Sequence, residues 1–198
     1  GKLGRRHRVI QYDQRGSGLS KGPINEESIN IHAFIQDIEA IRKYFRIEKL
    51  NLAGVSWGGI LALFYGVEYP ENLNSLIVFS TAASSELLNK MYPAMRKRTT
   101  PEDAELMRAL SGSEEFKRKY PETLEKYFRL FCKAQFVDPS LAARINLTLC
   151  ENTANNMTAV SNLVWASIGN FDLHDSLENI PCPTLVMHGR GDSLPPEA

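Results

Sequence analysis

Residues 49–69, KLNLAGVSWGGILALFYGVEY, constrain the fold more than any other stretch. A short run rich in β-formers reaches Val55, and a strongly apolar run suited to a helix begins at Trp57. Only Ser56 stands between them, with glycines at 54, 58 and 59. A strand can feed a helix across so little chain only through a sharp turn, and residues without side chains let the two backbones approach. A helix leaving a strand this way packs back on the sheet and delivers the chain to a neighbouring parallel strand. LNSLIVFS at 73–80 supplies that strand, after a helix closed by Pro70.

The same alternation extends upstream. HRVIQYD at 7–13 has the composition of a buried strand, and QRGSGLSKGP follows as a glycine-rich turn. From Glu26 to Phe45, Ile29, Ala33, Ile38, Ile41 and Phe45 recur at helical spacing with charges between them. Strand, helix, strand, helix, strand predicts an α/β fold with a parallel sheet covered by helices on both faces. After Ser80 the pattern changes. From about Ser84 to Ile168 only helical periodicities occur. PEDAELMRALS and PETLEKYFRLFCKAQF open with Pro and early acids, as helices do, and TAVSNLVWASI is a further apolar helix. CPTLVMHG at 182–189 resumes the strand pattern. The expected plan is a first part of the core over residues 1–82, an inserted helical cap over 83–170, and a second part of the core over 171–198. Gly1 lies just before one predicted strand and Ala198 just after another, so the chain is expected to be a piece of a longer polypeptide, incomplete at both ends.

Composition narrows the function classes. Hydrophobic residues make up 43% and charged residues 23%, which suits a packed globular domain. With 23 basic and 23 acidic residues the net charge is zero, so no nucleic acid and no acidic membrane is expected as a partner. The basic cluster of Lys2, Arg5, Arg6, His7 and Arg8 reads as a solvated segment rather than a phosphate site. No apolar run reaches the roughly 18 residues of a membrane span. Cys132, Cys150 and Cys182 are odd in number and widely spaced, which argues against a disulfide framework and against zinc. Free thiols in a reducing, cytoplasmic setting are expected, with no metal and no cofactor. The sequons at Asn146 and Asn156 carry little weight without a signal peptide.

The chemistry points to Ser56. A nucleophilic hydroxyl must stand clear of the chain, and a strand turning sharply into a helix presents it so. Gly54 and Gly58, two residues to either side, are expected to relieve the crowding of that turn. The helix points its first N–H groups at the site, and the backbone N–H of Trp57 is expected to bind a developing oxyanion. The spacing matches neither a dinucleotide loop nor a Walker loop, and no Lys follows the glycines.

Three motifs make the resemblance specific: DQRGSGLS at 13–20, GVSWGG at 54–59 and PTLVMHGRGD at 183–192. The chain resembles an α/β-hydrolase, and within that fold the proline iminopeptidase-like group, in motif order and in the helical segment between the second and third motifs. The resemblance implies a Ser, acid, His triad in that order, with the acid just after TLVMHG, at Asp192. It also implies a His beyond the acid and an HGGPG-like loop upstream of DQRGSG as a second oxyanion donor. Neither occurs here. His7, His32, His174 and His188 all precede Asp192, and His188 reads as part of the strand-end motif. The catalytic His is therefore expected outside this chain.

In the DQRGSG loop, Asp13 and Arg15 are expected to brace the turn and Gly16 and Gly18 to supply unusual backbone angles; a substrate contact from Arg15 and Ser17 is the alternative. The resemblance implies cleavage of an N-terminal residue, often proline, which needs cap carboxylates for the free amine. Glu151, in CENTANN, reads instead as a helix-start acid, and Trp165 has no Glu near it. The expected function is a serine hydrolase acting on an ester or amide of a small molecule or short peptide. Ester or lipase-like chemistry, and a catalytically inactive binding protein, are the alternatives.

Overall fold

Leu50–Val55 (β1), Leu73–Phe79 (β2) and Thr184–Met187 (β3) form one parallel sheet in the order β1-β2-β3. The computed structural model describes residues 3–194. Leu52, Ala53, Gly54 and Val55 lie opposite Leu76, Ile77, Val78 and Phe79, and β2 in turn sets Phe79 beside Met187. All three strands therefore end in one row, and the residues that follow them emerge along one edge. Parallel strands need crossover connections, and the crossover between β1 and β2 is the helix Trp57–Glu68.

Two helices build the core with the sheet. Ile31–Tyr44 (α1) is capped by Asn30, whose side-chain oxygen accepts the N–H of Ala33 at 2.9 Å. That cap explains why the helix starts five residues later than its periodicity predicts. It buries Phe34, Ile35, Ile38 and Glu39. Trp57–Glu68 (α2) is apolar nearly all round because it lies between the sheet and α1. The core comprises Ile60, Leu61 and Tyr65 of α2, Leu76 and Val78 of β2 and the α1 face, each large apolar side chain worth about 1.5–3 kcal/mol of burial. Within it Glu39 is 3% exposed. Arg42 grips both its oxygens, at 2.9 and 2.7 Å, Tyr65 donates its hydroxyl at 2.9 Å, and Asn72 adds a bond at 3.3 Å. The Arg42 guanidinium above all, then Tyr65 and Lys43, hold the Glu39 carboxyl down at about 2 against the opposing effect of burial. This network ties α1 to α2 and to the turn before β2.

Between β2 and β3 the chain is helical, over Ser85–Asn89 (α3), Met91–Arg98 (α4), Pro101–Gly112 (α5), Glu114–Lys117 (α6), Pro121–Lys133 (α7) and Glu151–Ile168 (α8), with His174–Leu177 (α9) leading back to the sheet. Lys133 joins α7 to α5 through Asp103 at 2.6 Å, and Arg129 caps the carbonyls of Ala142 and Ile145.

One expectation changes. Residues 7–13 are not a strand. Nothing ladders with them among the described residues, and Val9 and Tyr12 are 52% and 39% exposed, so β propensity alone does not make a strand there. Among the described residues the helix packed on the sheet, α2, stands on one face, while Val55, Leu185 and Met187 on the other are exposed. In the basic cluster, Arg5, Arg6, His7 and Arg8 are exposed and Arg8 lies over the Phe45 ring at 4.6 Å; Lys2 lies outside the described residues.

Candidate active site

Ser56 is the one residue between β1 and α2, and the turn forces it to φ 52°, ψ −120°. A non-glycine residue at positive φ costs of order 1–3 kcal/mol, so surrounding bonds must hold it. They do. Its N–H donates to the Phe79 carbonyl at 2.9 Å, and its own carbonyl accepts from Gly59 N at 2.8 Å, Ile60 N at 3.1 Å and Thr81 Oγ1 at 2.9 Å. The backbone is fully engaged while the residue as a whole is exposed. No bond to Ser56 Oγ occurs among the described residues, so the hydroxyl is presented to solvent at the C-terminal row of the sheet, where ligands of open parallel sheets bind.

The glycines divide the work differently from the expectation. A Cβ on Gly54 would run into the Gly58 carbonyl, so β1 and α2 can meet only if residue 54 has no side chain. A Cβ on Gly58 would meet nothing within 4 Å among the described residues. The second tight approach is at Gly59, where a Cβ would come within 2.6 Å of the Thr81 side chain. Gly59 thus admits the threonine that bonds the Ser56 carbonyl.

Trp57 opens α2. No acceptor for its backbone N–H is present among the described residues, which leaves that donor free beside Ser56 at the positive end of a 12-residue helix. Its indole is pinned. Nε1 donates to Gln14 Oε1 at 3.0 Å, and the ring packs edge-on against Phe34 at 5.9 Å and Trp165 at 5.5 Å. A cavity of about 290 Å³ lies against it, lined by Gln14, Phe34, Met157, Val160 and Trp165 among others.

Asp192 follows β3 in a turn closed by its own N–H on the Gly189 carbonyl at 3.0 Å. Its side chain is 16% exposed, and Oδ1 accepts the N–H of Leu194 at 3.0 Å. Oδ2 lies 3.8 Å from His188 Nε2, but that nitrogen bonds the Leu194 carbonyl at 3.1 Å. His188 thus closes the same turn. Of the other histidines, His174 pairs with Asp172 at 2.5 Å and His32 faces Glu68 at 3.4 Å. His7 is an exposed residue of the amino-terminal segment.

The DQRGSG loop is braced from within by Asp13 and tied to the rest of the chain by Arg15. Arg15 binds both oxygens of Asp37 on α1, at 2.8 and 2.6 Å, and the Ser28 carbonyl at 2.5 Å. Asp13 accepts the Leu19 N–H at 2.8 Å. Gly16 and Gly18 are at φ 77° and 54°. A side chain at 18 would collide with Asp13, and one at 16 would come within 2.7 Å of Val160. The start of α8 then clasps the loop: Thr153 Oγ1 accepts the Gly18 N–H at 2.9 Å, and Asn152 and Asn156 donate to the carbonyls of Gly18 and Gly16 at 3.0 and 3.3 Å. Glu151 of CENTANN is exposed at the helix start, and its neighbours make the contacts. The sequence signal for them is a run of short amides and a hydroxyl at a helix start, where such groups seek backbone partners. Cys150 is exposed at that start, its thiol held below the usual range by the Thr153 hydroxyl and nearby N–H groups.

Comparison with known proteins agrees with this geometry. The family model described as alpha/beta hydrolase fold matches residues 2–197. The chain is 31% identical over 199 residues to a proline iminopeptidase of Elizabethkingia meningoseptica, covering 95% of this chain and 65% of that protein. It is 30% identical to one of Clostridium botulinum, covering 95% of this chain and 66% of the relative. A crystal structure of a proline iminopeptidase from Mycobacterium smegmatis superposes with a TM-score of 0.58 at 21% identity, over 94% of this chain and 64% of that one. The chain therefore spans about two thirds of the length of its relatives. With a parallel sheet, a serine at the strand–helix elbow and a family match over almost every residue, this chain belongs to the α/β hydrolase fold family.

Proposed function

We propose that the protein containing this chain is a serine hydrolase. The observation that carries the reading is Ser56 at φ 52° on the turn from β1 into α2, its backbone bonded throughout and its residue exposed. Ser56 Oγ attacks an ester or amide carbonyl and passes its proton to a His supplied from outside this chain. Asp192 holds that His in the correct tautomer, and the Trp57 N–H stabilises the oxyanion. Collapse of the tetrahedral intermediate expels the alcohol or amine, which takes the proton from the imidazolium, and water then releases the acyl group by the same route.

The relatives' names favour the amide of an N-terminal proline. The wall of the cavity at Trp57 favours a second reading. It contains no Asp or Glu among the described residues, so nothing there would hold an ammonium group, and an acyl ester suits it better. In both readings residues 83–170 act as a cap over a core made of 1–82 and 171–198, with a small-molecule or short-peptide substrate. A cytoplasmic setting goes with them, supported by three cysteines none of which is paired among the described residues. No described helix is long and apolar enough to cross a membrane. The test is a panel of aminoacyl and acyl 4-nitrophenyl substrates on the full-length protein. Turnover that disappears in Ser56→Ala supports the reading; equal turnover in the variant contradicts it.

A further inference from the structure

The helical segment grips the turn that bears Asp192 at three places. Leu194, 4% exposed, packs with Ala82 and with Leu87 of α3, and Met91 of α4 closes over them. Gly191 leaves room for Val137, whose side chain a Cβ at 191 would strike. Arg98, the last residue of α4, reaches across 94 positions of sequence to donate Nη2 to the Asp192 carbonyl at 3.3 Å. Its Nη1 is buried with no partner among the described residues. A buried donor without an acceptor is unfavourable, so the side chain is not held there by satisfying itself. Nor can a substrate reach that nitrogen while it is buried. What the guanidinium does touch is the backbone of the residue proposed as the triad acid.

We infer that Arg98 is a positioning residue for Asp192, so that the seating of the cap sets the orientation of the acid. The inference rests on the serine hydrolase reading above. An acid that orients a His works only within about half an ångström and some 10–20° of its productive geometry, and its own backbone must be fixed to that tolerance. The turn closes with a single backbone bond of its own, from Asp192 N to Gly189 O. The Leu194 N–H on Asp192 Oδ1 spans the next peptide, and the bond to the Asp192 carbonyl itself comes from Arg98 of α4. Loss of the Arg98 bond leaves the turn in place through Leu194 and His188 but removes the partner of the Asp192 carbonyl, so the peptide plane after Asp192 is held more loosely, by the Leu194 N–H on Oδ1.

The test uses the full-length protein with Arg98→Met, which keeps length and burial, and Arg98→Lys, which keeps one charged donor. Active sites are counted by titration with a fluorophosphonate, so that unfolded molecules do not enter kcat. A merely structural role lowers the number of titrated sites and leaves turnover per site unchanged. The inference predicts that Arg98→Met lowers kcat per titrated site about tenfold, with KM changed less than twofold, and that Arg98→Lys recovers most of the loss. Turnover per site within twofold of wild type in Arg98→Met overturns it, while Ser56 labelling in the same samples leaves the hydrolase reading standing. Wild-type protein that neither labels nor turns over any substrate overturns the hydrolase reading and this inference with it.

Discussion

Replacing Glu39 by Gln tests whether the frame behind the elbow is as electrostatic as its geometry implies. Glu39 is 3% exposed and bonded by Arg42, Tyr65 and Asn72, with Lys43 at 3.3 Å. Its carboxyl is lowered from 4.5 to about 2. At about 1.36 kcal/mol per pH unit, that fall corresponds to about 3 kcal/mol of folding free energy, the low end of the range of about 3–5 for breaking a buried pair. Because the folded value is depressed, this stability is present above pH 4.5 and is lost as the pH falls toward 2. Glu39→Gln keeps size and removes the charge. Denaturant unfolding of the full-length wild type and variant should differ by about 3 kcal/mol at pH 7, and by about half of that near pH 3. Other acids titrate in both proteins, so the difference isolates this site. A difference that stays constant from pH 7 to pH 3, or one below about 1 kcal/mol throughout, would refute the assignment.

Two further outcomes follow from the elbow. Ser56→Gly should raise stability by about 1 kcal/mol in thermal unfolding, because glycine accepts φ 52° without strain, while all nucleophilic reactivity is lost. Gly54→Ala should cost at least about 3 kcal/mol or prevent folding, since its Cβ meets the Gly58 carbonyl, whereas Gly58→Ala should be neutral or slightly stabilising inside a helix. Melting temperatures of the two alanine variants compare them directly, and equal losses would contradict the geometry.

Much of this architecture is legible in the residues. LNLAGV, LNSLIVF and TLVM are short runs of β-formers with turn signals around them, and each is a strand. Ser56 stands out in the sequence because a lone hydroxyl between a strand and a helix, flanked by glycines, can bury little and is set to face outward. HRVIQYD carries the same composition yet has no ladder among the described residues, because a strand is a property of a pair and not of a segment. The short helices α3, α6 and α9 have five residues or fewer, too few to show a period. Gly58 and Gly59 are identical to a sequence reading, and only packing against Thr81 separates them. The Thr153 clasp and the reach of Arg98 to Asp192 span 135 and 94 positions, and contacts of that kind leave no local pattern.

The central claim is that Ser56 is a nucleophile, and covalent capture tests it most directly. The full-length protein is treated with a fluorophosphonate, digested, and mapped by mass spectrometry. A single adduct on the peptide holding Ser56, absent after heat denaturation and absent in Ser56→Ala, is the predicted result. An unmodified Ser56 in folded protein, or an adduct that persists in Ser56→Ala, would contradict it.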